Sequence, residues 1–161
     1  MVKMSSNRQE IGPYDYIKHF KRHTALLVSM DTNGKTNVMA LDWKIIEELD
    51  GNPVIRAQVS YSRYTYKLLT EGVNEFTVNI PSEKIYHAID IVGNYSGRNT
   101  DKFKEAGLEI IPGTRTKVPT IKDCILNYEY QIIHSTESNL SSHHYFYGKI
   151  LTAYVSIDFI K

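Results

Sequence analysis

Alternating apolar and polar positions, the period-two mark of a half-buried strand, run through most of the chain, and a helical period appears only in short pieces. Residues 24–30 are a β-rich apolar run, and Asn33-Gly34 after it is the strongest hairpin signal in the sequence. Residues 36–46 read as the returning strand, and Asp50-Gly-Asn-Pro53 as a further turn. Val54, Ala57 and Val59 mark a third strand that ends at Ser60. The period then changes. Leu68 and Leu69 suit a short helix over residues 64–71, with Ser62 as its N-cap and Gly72 as its stop. Phe76, Val78 and Ile80 share one face of a strand that Pro81 closes. Ser82 is placed to cap a helix striped by Ile85, Ala88, Ile89 and Val92 and ended by Gly93. Residues 16–23 and 101–106 have room for a helical turn or two each. With Pro112, Gly113 and Pro119 inside it, the segment 110–123 reads as a long loop. Residues 124–134 and 145–157 are β-rich and joined by the polar segment 135–144.

About six strands, short helices between them and no βαβ alternation predict a mainly β protein, a small antiparallel barrel with helical insertions. At 161 residues the chain has the length of one domain. We expect that domain over residues 14–161, behind a polar lead-in at residues 1–13. A net charge of +1 lacks the basic excess that non-specific nucleic-acid or anionic-membrane binding needs. The single cysteine, Cys124, can close no internal disulfide and build no Cys-rich zinc site. His143 and His144 point to opposite sides of an extended chain, so no metal is expected. The N-terminus carries no apolar signal region, and no apolar stretch approaches the roughly 20 residues of a spanning helix. The expectation is a cytoplasmic protein without a nucleic-acid or membrane partner. Walker, zinc-protease, nucleophile-elbow, EF-hand and dinucleotide-binding motifs are all missing from the sequence.

Two segments hold the candidate chemistry. Residues 60–69 leave a strand and open a helix, whose start offers free N–H groups and a partial positive charge. Ser60, Ser62 and Thr65 add hydroxyls there and Arg63 adds a guanidinium, a set that suits a phosphate monoester. A well-capped surface helix would show the same residues. Along residues 37–43, Asn37, Met39, Leu41 and Trp43 alternate with Val38, Ala40 and Asp42. This is either a core Trp beside an exposed acid, or a strand that offers its polar backbone to a flat ring.

Taken in order, six segments resemble the flavin reductase-like family, the FMN-binding split barrels that include flavoredoxin-type proteins. They are residues 25–31, 37–43, 60–65 and 76–81, then Gly93-Asn-Tyr-Ser-Gly-Arg98 with Asp101-Lys-Phe103, and finally 143–148. The resemblance covers nearly the whole domain. It implies a six-stranded antiparallel split β-barrel of Greek-key type, a homodimer, and FMN held non-covalently near the subunit interface. It implies that Asn37, Met39, Ala40, Leu41, Asp42 and Trp43 line the isoalloxazine. By the same likeness Ser60, Ser62, Arg63, Tyr64 and Thr65 hold the phosphate and ribityl chain, and Asn79, Ile80 and Pro81 border the flavin. Ser96 and Gly97 would approach the ring, with Lys102 and Phe103 following, and His143 would stand on the nicotinamide side as the candidate catalytic residue. The implied activity is NAD(P)H:flavin reductase-like, a hydride passing from NADH or NADPH to FMN. The alternative is a flavoredoxin-type carrier that takes electrons from a redox protein partner. Asp42 departs from the family, where a small hydroxyl residue is common.

Overall fold

In the computed structural model, which describes residues 7–160, the first apolar run is strand β2 (Ala25–Met30). After β1 (Arg8–Ile11) and helix α1 (Ile17–Arg22), it pairs antiparallel with β3 (Thr36–Leu41) across the expected turn, Val28 opposite Val38. All six residues of β2 are buried because both of its faces are covered. Ala25 and Leu27 face the barrel core, while Leu26, Val28 and Met30 face a helical layer. That explains a run without polar alternation.

The single return strand expected over residues 36–46 is two strands. β3 stops at Leu41, residues 42 and 43 break the ladder, and β4 (Lys44–Leu49) turns away to pair with β5 (Asn52–Ser60). Side chains hold the corner: the Thr24 hydroxyl donates to Asp42 Oδ1, and Lys44 Nζ donates to the His23 carbonyl at 2.6 Å. Helix α2 (Tyr64–Glu71) and strand β6 (Glu75–Pro81) follow as expected. A 3₁₀ turn at Glu83–Ile85, capped by Ser82, leads into α3 (His87–Asn94), and α4 (Lys102–Ala106) is capped by Asp101.

The expected loop 110–123 contains a small hairpin, β7 (Ile110–Ile111) with β8 (Thr120–Ile121). Its tip is tied to the body by Glu129, a buried carboxylate that accepts the N–H groups of Thr114, Arg115 and Thr116 at 2.7–3.1 Å. β9 (Cys124–Glu137) and β10 (His143–Ser156) form a hairpin of 14 residues a side, closed by α5 (Ile157–Ile160). Both strands reach further into the polar segment than expected, with His144 opposite Glu137. Ladder hydrogen bonds hold these residues whatever their side chains, and one exposed face accepts polar ones.

The main sheet has eight strands in the order β3-β2-β6-β9-β10-β5-β4, with β1 also on β10, and every pairing in it is antiparallel. This bears out the mainly β antiparallel architecture with short helical insertions. Arg8–Ile11, expected within the polar lead-in, is a strand whose residues pair from Arg8↔Ser156 to Ile11↔Ala153. Residues 1–6 of that lead-in lie outside the described residues. Inside the curled sheet, Phe20, Phe76, Tyr128, Tyr130 and Phe146 make an aromatic core. α3 and α4 cover the outer face of β2 and β3 through Ala88, Val92 and Ala106.

Candidate functional site

β5 ends where β10 begins, with Ser60 directly opposite His143. The chain then turns sharply, Arg63 N–H donating to the Ser60 carbonyl at 3.0 Å, and enters α2. Ser62 does not cap this helix. Its N–H and hydroxyl are within reach of Ser60 Oγ, at 3.3 and 3.0 Å, in a local turn. Arg63 holds the cap position, and no side chain accepts from the first helical turn. That start therefore keeps donors and its positive pole for another acceptor.

What it faces is a cleft of about 520 Å³. Asn37, Ser60, Ser62, Arg63, Tyr64 and Thr65 form one wall; Ser96, Gly97 and Lys102 form the other, with His143 at the edge. Gly93, Asn94, Tyr95 and Gln58 also line the trough and were not anticipated. Gln58 was legible as the position facing away from buried Ala57 and Val59; the others precede a loop whose course only the fold decides. A smaller extension of about 140 Å³ runs past Met39, Ala40, Leu41, Asp42 and Trp43 and shares Ser60, Arg63 and His143 with the first. Together they make one trough, with Lys102 at one end and Trp43 at the other.

Close packing fixes the walls. Asn37 is buried and donates from Nδ2 to Thr65 Oγ1 at 3.2 Å, joining β3 to α2. A Cβ on Gly97 would lie 1.9 Å from Asn37 Oδ1, so only glycine lets the 95–98 loop approach. Arg98 Nη1 donates to the Ser62 carbonyl at 3.1 Å, and its guanidinium lies 5.5 Å from the Tyr64 ring centre. Trp43 is 55% exposed and stacks on His143, centroids 5.0 Å apart, which excludes a core Trp. His144 turns the other way, as an extended chain requires; burial lowers its pKa, and its Nδ1 lies 3.3 Å from the Tyr61 hydroxyl.

The charge in the trough is unbalanced. Lys102 is only 4% exposed, and burial, then the nearby Arg63 charge, brings its pKa down to about 8. Neither cation has an ion-pair partner among the described residues. A cation at an uncapped helix start, with a second facing it across the cleft, is an arrangement that suits a multiply charged anion such as a phosphate monoester.

Four of the expected residues are not brought to the trough. Asn79, Ile80 and Pro81 are buried in β6, and Asn79 is occupied by the Leu26 carbonyl, the Ile121 N–H and Asn127. The family resemblance put these three beside the flavin; here both faces of β6 are packed into the interior. Phe103 packs on the cluster beneath α3. No cluster of metal-ligating side chains occurs among the described residues.

The flavin reductase like domain model matches residues 17–158. The chain is 30% identical to the flavoredoxin of Desulfovibrio vulgaris (Miyazaki F), with a TM-score of 0.72 over 83% of this chain and 69% of that one. An FMN-binding domain of a flavin reductases-like enzyme from Shewanella baltica shares the fold, with a TM-score of 0.78 over 93% of this chain and 78% of that one, at 16% identity. A protein of Archaeoglobus fulgidus is 31% identical over 118 residues, 73% of this chain, which spans 64% of that relative's length.

Proposed function

The chain belongs to the flavin reductase-like domain family, and on that premise we propose that it is an FMN-binding oxidoreductase whose cofactor lies along the trough. The carrying observation is the pair Arg63 and Lys102, cationic and without ion-pair partners among the described residues, Arg63 at an uncapped helix start and Lys102 across the cleft from it. They take the FMN phosphate, with Ser60, Ser62 and Thr65 as hydroxyl partners. The ring lies along Met39–Trp43, and Gly97 and Asn37 close its side. Once bound, FMN supplies a two-electron centre that accepts hydride at N5.

In the leading reading the donor is NADH or NADPH. Trp43 and His143 wall the open side of the trough, and their stack positions a second flat ring. Asn79, Ile80, Pro81 and Phe103 take no part in this reading. A second reading, an electron carrier fed by a redox protein, has its own support in the 30% identity to a flavoredoxin. The reading includes a cytoplasmic homodimer, and exposed Trp43 and Tyr95 beside the trough lend support to the dimer.

The test is a spectrum. Protein is incubated with FMN, dialysed, and mixed with NADH or NADPH without oxygen. Retained flavin bands that bleach mean a nicotinamide-dependent reductase. Bands that persist until a reduced redox protein is added mean the carrier, and no retained bands refute the cofactor reading.

A further inference from the structure

The trough is polarised along its length. Lys102 stands at one end, Arg63 lines both parts, and at the other end Asp42 is the sole carboxylate among the lining residues. Asp42 sits in the break between β3 and β4, where the chain has left one sheet neighbour for another. It is held there: Thr24, just before β2, donates its hydroxyl to Asp42 Oδ1. Lys44, two residues on, directs its Nζ to the His23 carbonyl, and the Asp42 charge is near enough to oppose the lowering of its pKa by burial. From the remaining walls, Arg63 comes from the start of α2, His143 from β10, and Gln58 and Ser60 from β5. Asp42 makes no ion pair among the described residues. An exposed acid tethered by a neighbouring hydroxyl at the lip of a binding trough is more ordered than solubility requires.

Resting on the FMN reading above, we infer that Asp42 sets the reduction potential of the bound flavin by making negative charge on the ring costly. Two electrons and one proton turn FMN into FMNH⁻, whose added charge sits toward N1; a second proton at N1 gives neutral FMNH₂. A carboxylate beside the ring disfavours FMNH⁻ relative to both neighbours in that sequence. The potential therefore falls, and N1 holds its proton to higher pH. Lys102, in the far part of the trough, leaves this repulsion largely in place, and Arg63 and Lys44 offset part of it without changing the sign of what removing the carboxylate does.

The experiment is a reductive titration of the FMN-loaded protein against a reference dye, repeated across the neutral pH range. Dithionite supplies both electrons and leaves as sulfite. Asp42→Asn keeps the shape and an oxygen for the Thr24 hydroxyl. It should raise the potential by the equivalent of about tenfold tighter relative binding of the reduced form, ~30 mV for a two-electron couple. The break in potential against pH should move to lower pH, and the difference should shrink in high salt. Thr24→Val, which frees the carboxylate to turn toward water, should shift the potential the same way by less. Equal potentials in wild type and Asp42→Asn overturn the inference while leaving FMN binding intact. Should Asp42→Asn lose FMN, an unchanged potential in Thr24→Val overturns it. A wild-type protein that retains no FMN overturns the cofactor reading and this inference together.

Discussion

Lys102 destabilises the protein that carries it. Its folded-state pKa of about 8 lies below the ordinary 10.5, so between these values the unfolded chain binds more protons than the folded one. Stability from this group therefore rises with pH across that window, and below about pH 8 the full burial penalty is present. Lys102→Met should unfold at higher urea than wild type at pH 7, and the advantage should vanish as pH climbs through the window. In the same variant FMN affinity should fall about 10- to 100-fold, the range of a lost charged hydrogen bond. Wild-type affinity should weaken above pH 8 as the ammonium is lost, and the variant should lack that slope. Calorimetric titration at several pH values checks both. Arg63 was legible from its place before a helix. The burial of Lys102 was not, because α4 carries it under a loop whose position depends on contacts far away in sequence. Asn79, Ile80 and Pro81 came from the family resemblance alone, and no local signal showed that tertiary packing gives both faces of β6 to the interior.

At the scale of elements, the backbone of residues 114–116 depends on one acid. Replacing Glu129 with Gln keeps an oxygen for the three backbone N–H groups that converge on Oε1, but puts an amide NH₂ in place of Oε2, 3.1 Å from the Thr114 N–H, so a donor meets a donor. The expected cost is about 2 kcal/mol or more, read from urea unfolding. Amide exchange at residues 114–116 should quicken well beyond that of the main sheet. Local signals foretold α2, β6 and the 31–35 turn, whose residues satisfy one another within a few positions. Two features that rest on distant partners and carry no strong local pattern stayed hidden. β1 shows only a weak pattern and exists because β10 presents an edge to it. The gap between β3 and β4 is set by Thr24 and the His23 carbonyl, which no window around Trp43 contains.

For the whole molecule, β10 is the hub, pairing with β1, β5 and β9. Gly148 lies at a register shift within it, where a Cβ would stand 2.8 Å from Phe76 Cζ and 2.9 Å from Tyr130 Cβ. Gly148→Ala should cost about 1–3 kcal/mol through overpacking. That should lower Tm by about 2–12 °C at this chain size, with FMN affinity of the folded protein unchanged because the residue faces the aromatic core. A melting curve and a cofactor titration on one sample separate the two effects. Trp43 has a further consequence. It is the sole tryptophan of the chain, and it stands at the lip of the trough against His143. Indole emission overlaps flavin absorption, so a ring seated beside Trp43 would drain its excited state by energy transfer. The protein carries its own optical gauge, its ultraviolet fluorescence dimming as the trough fills.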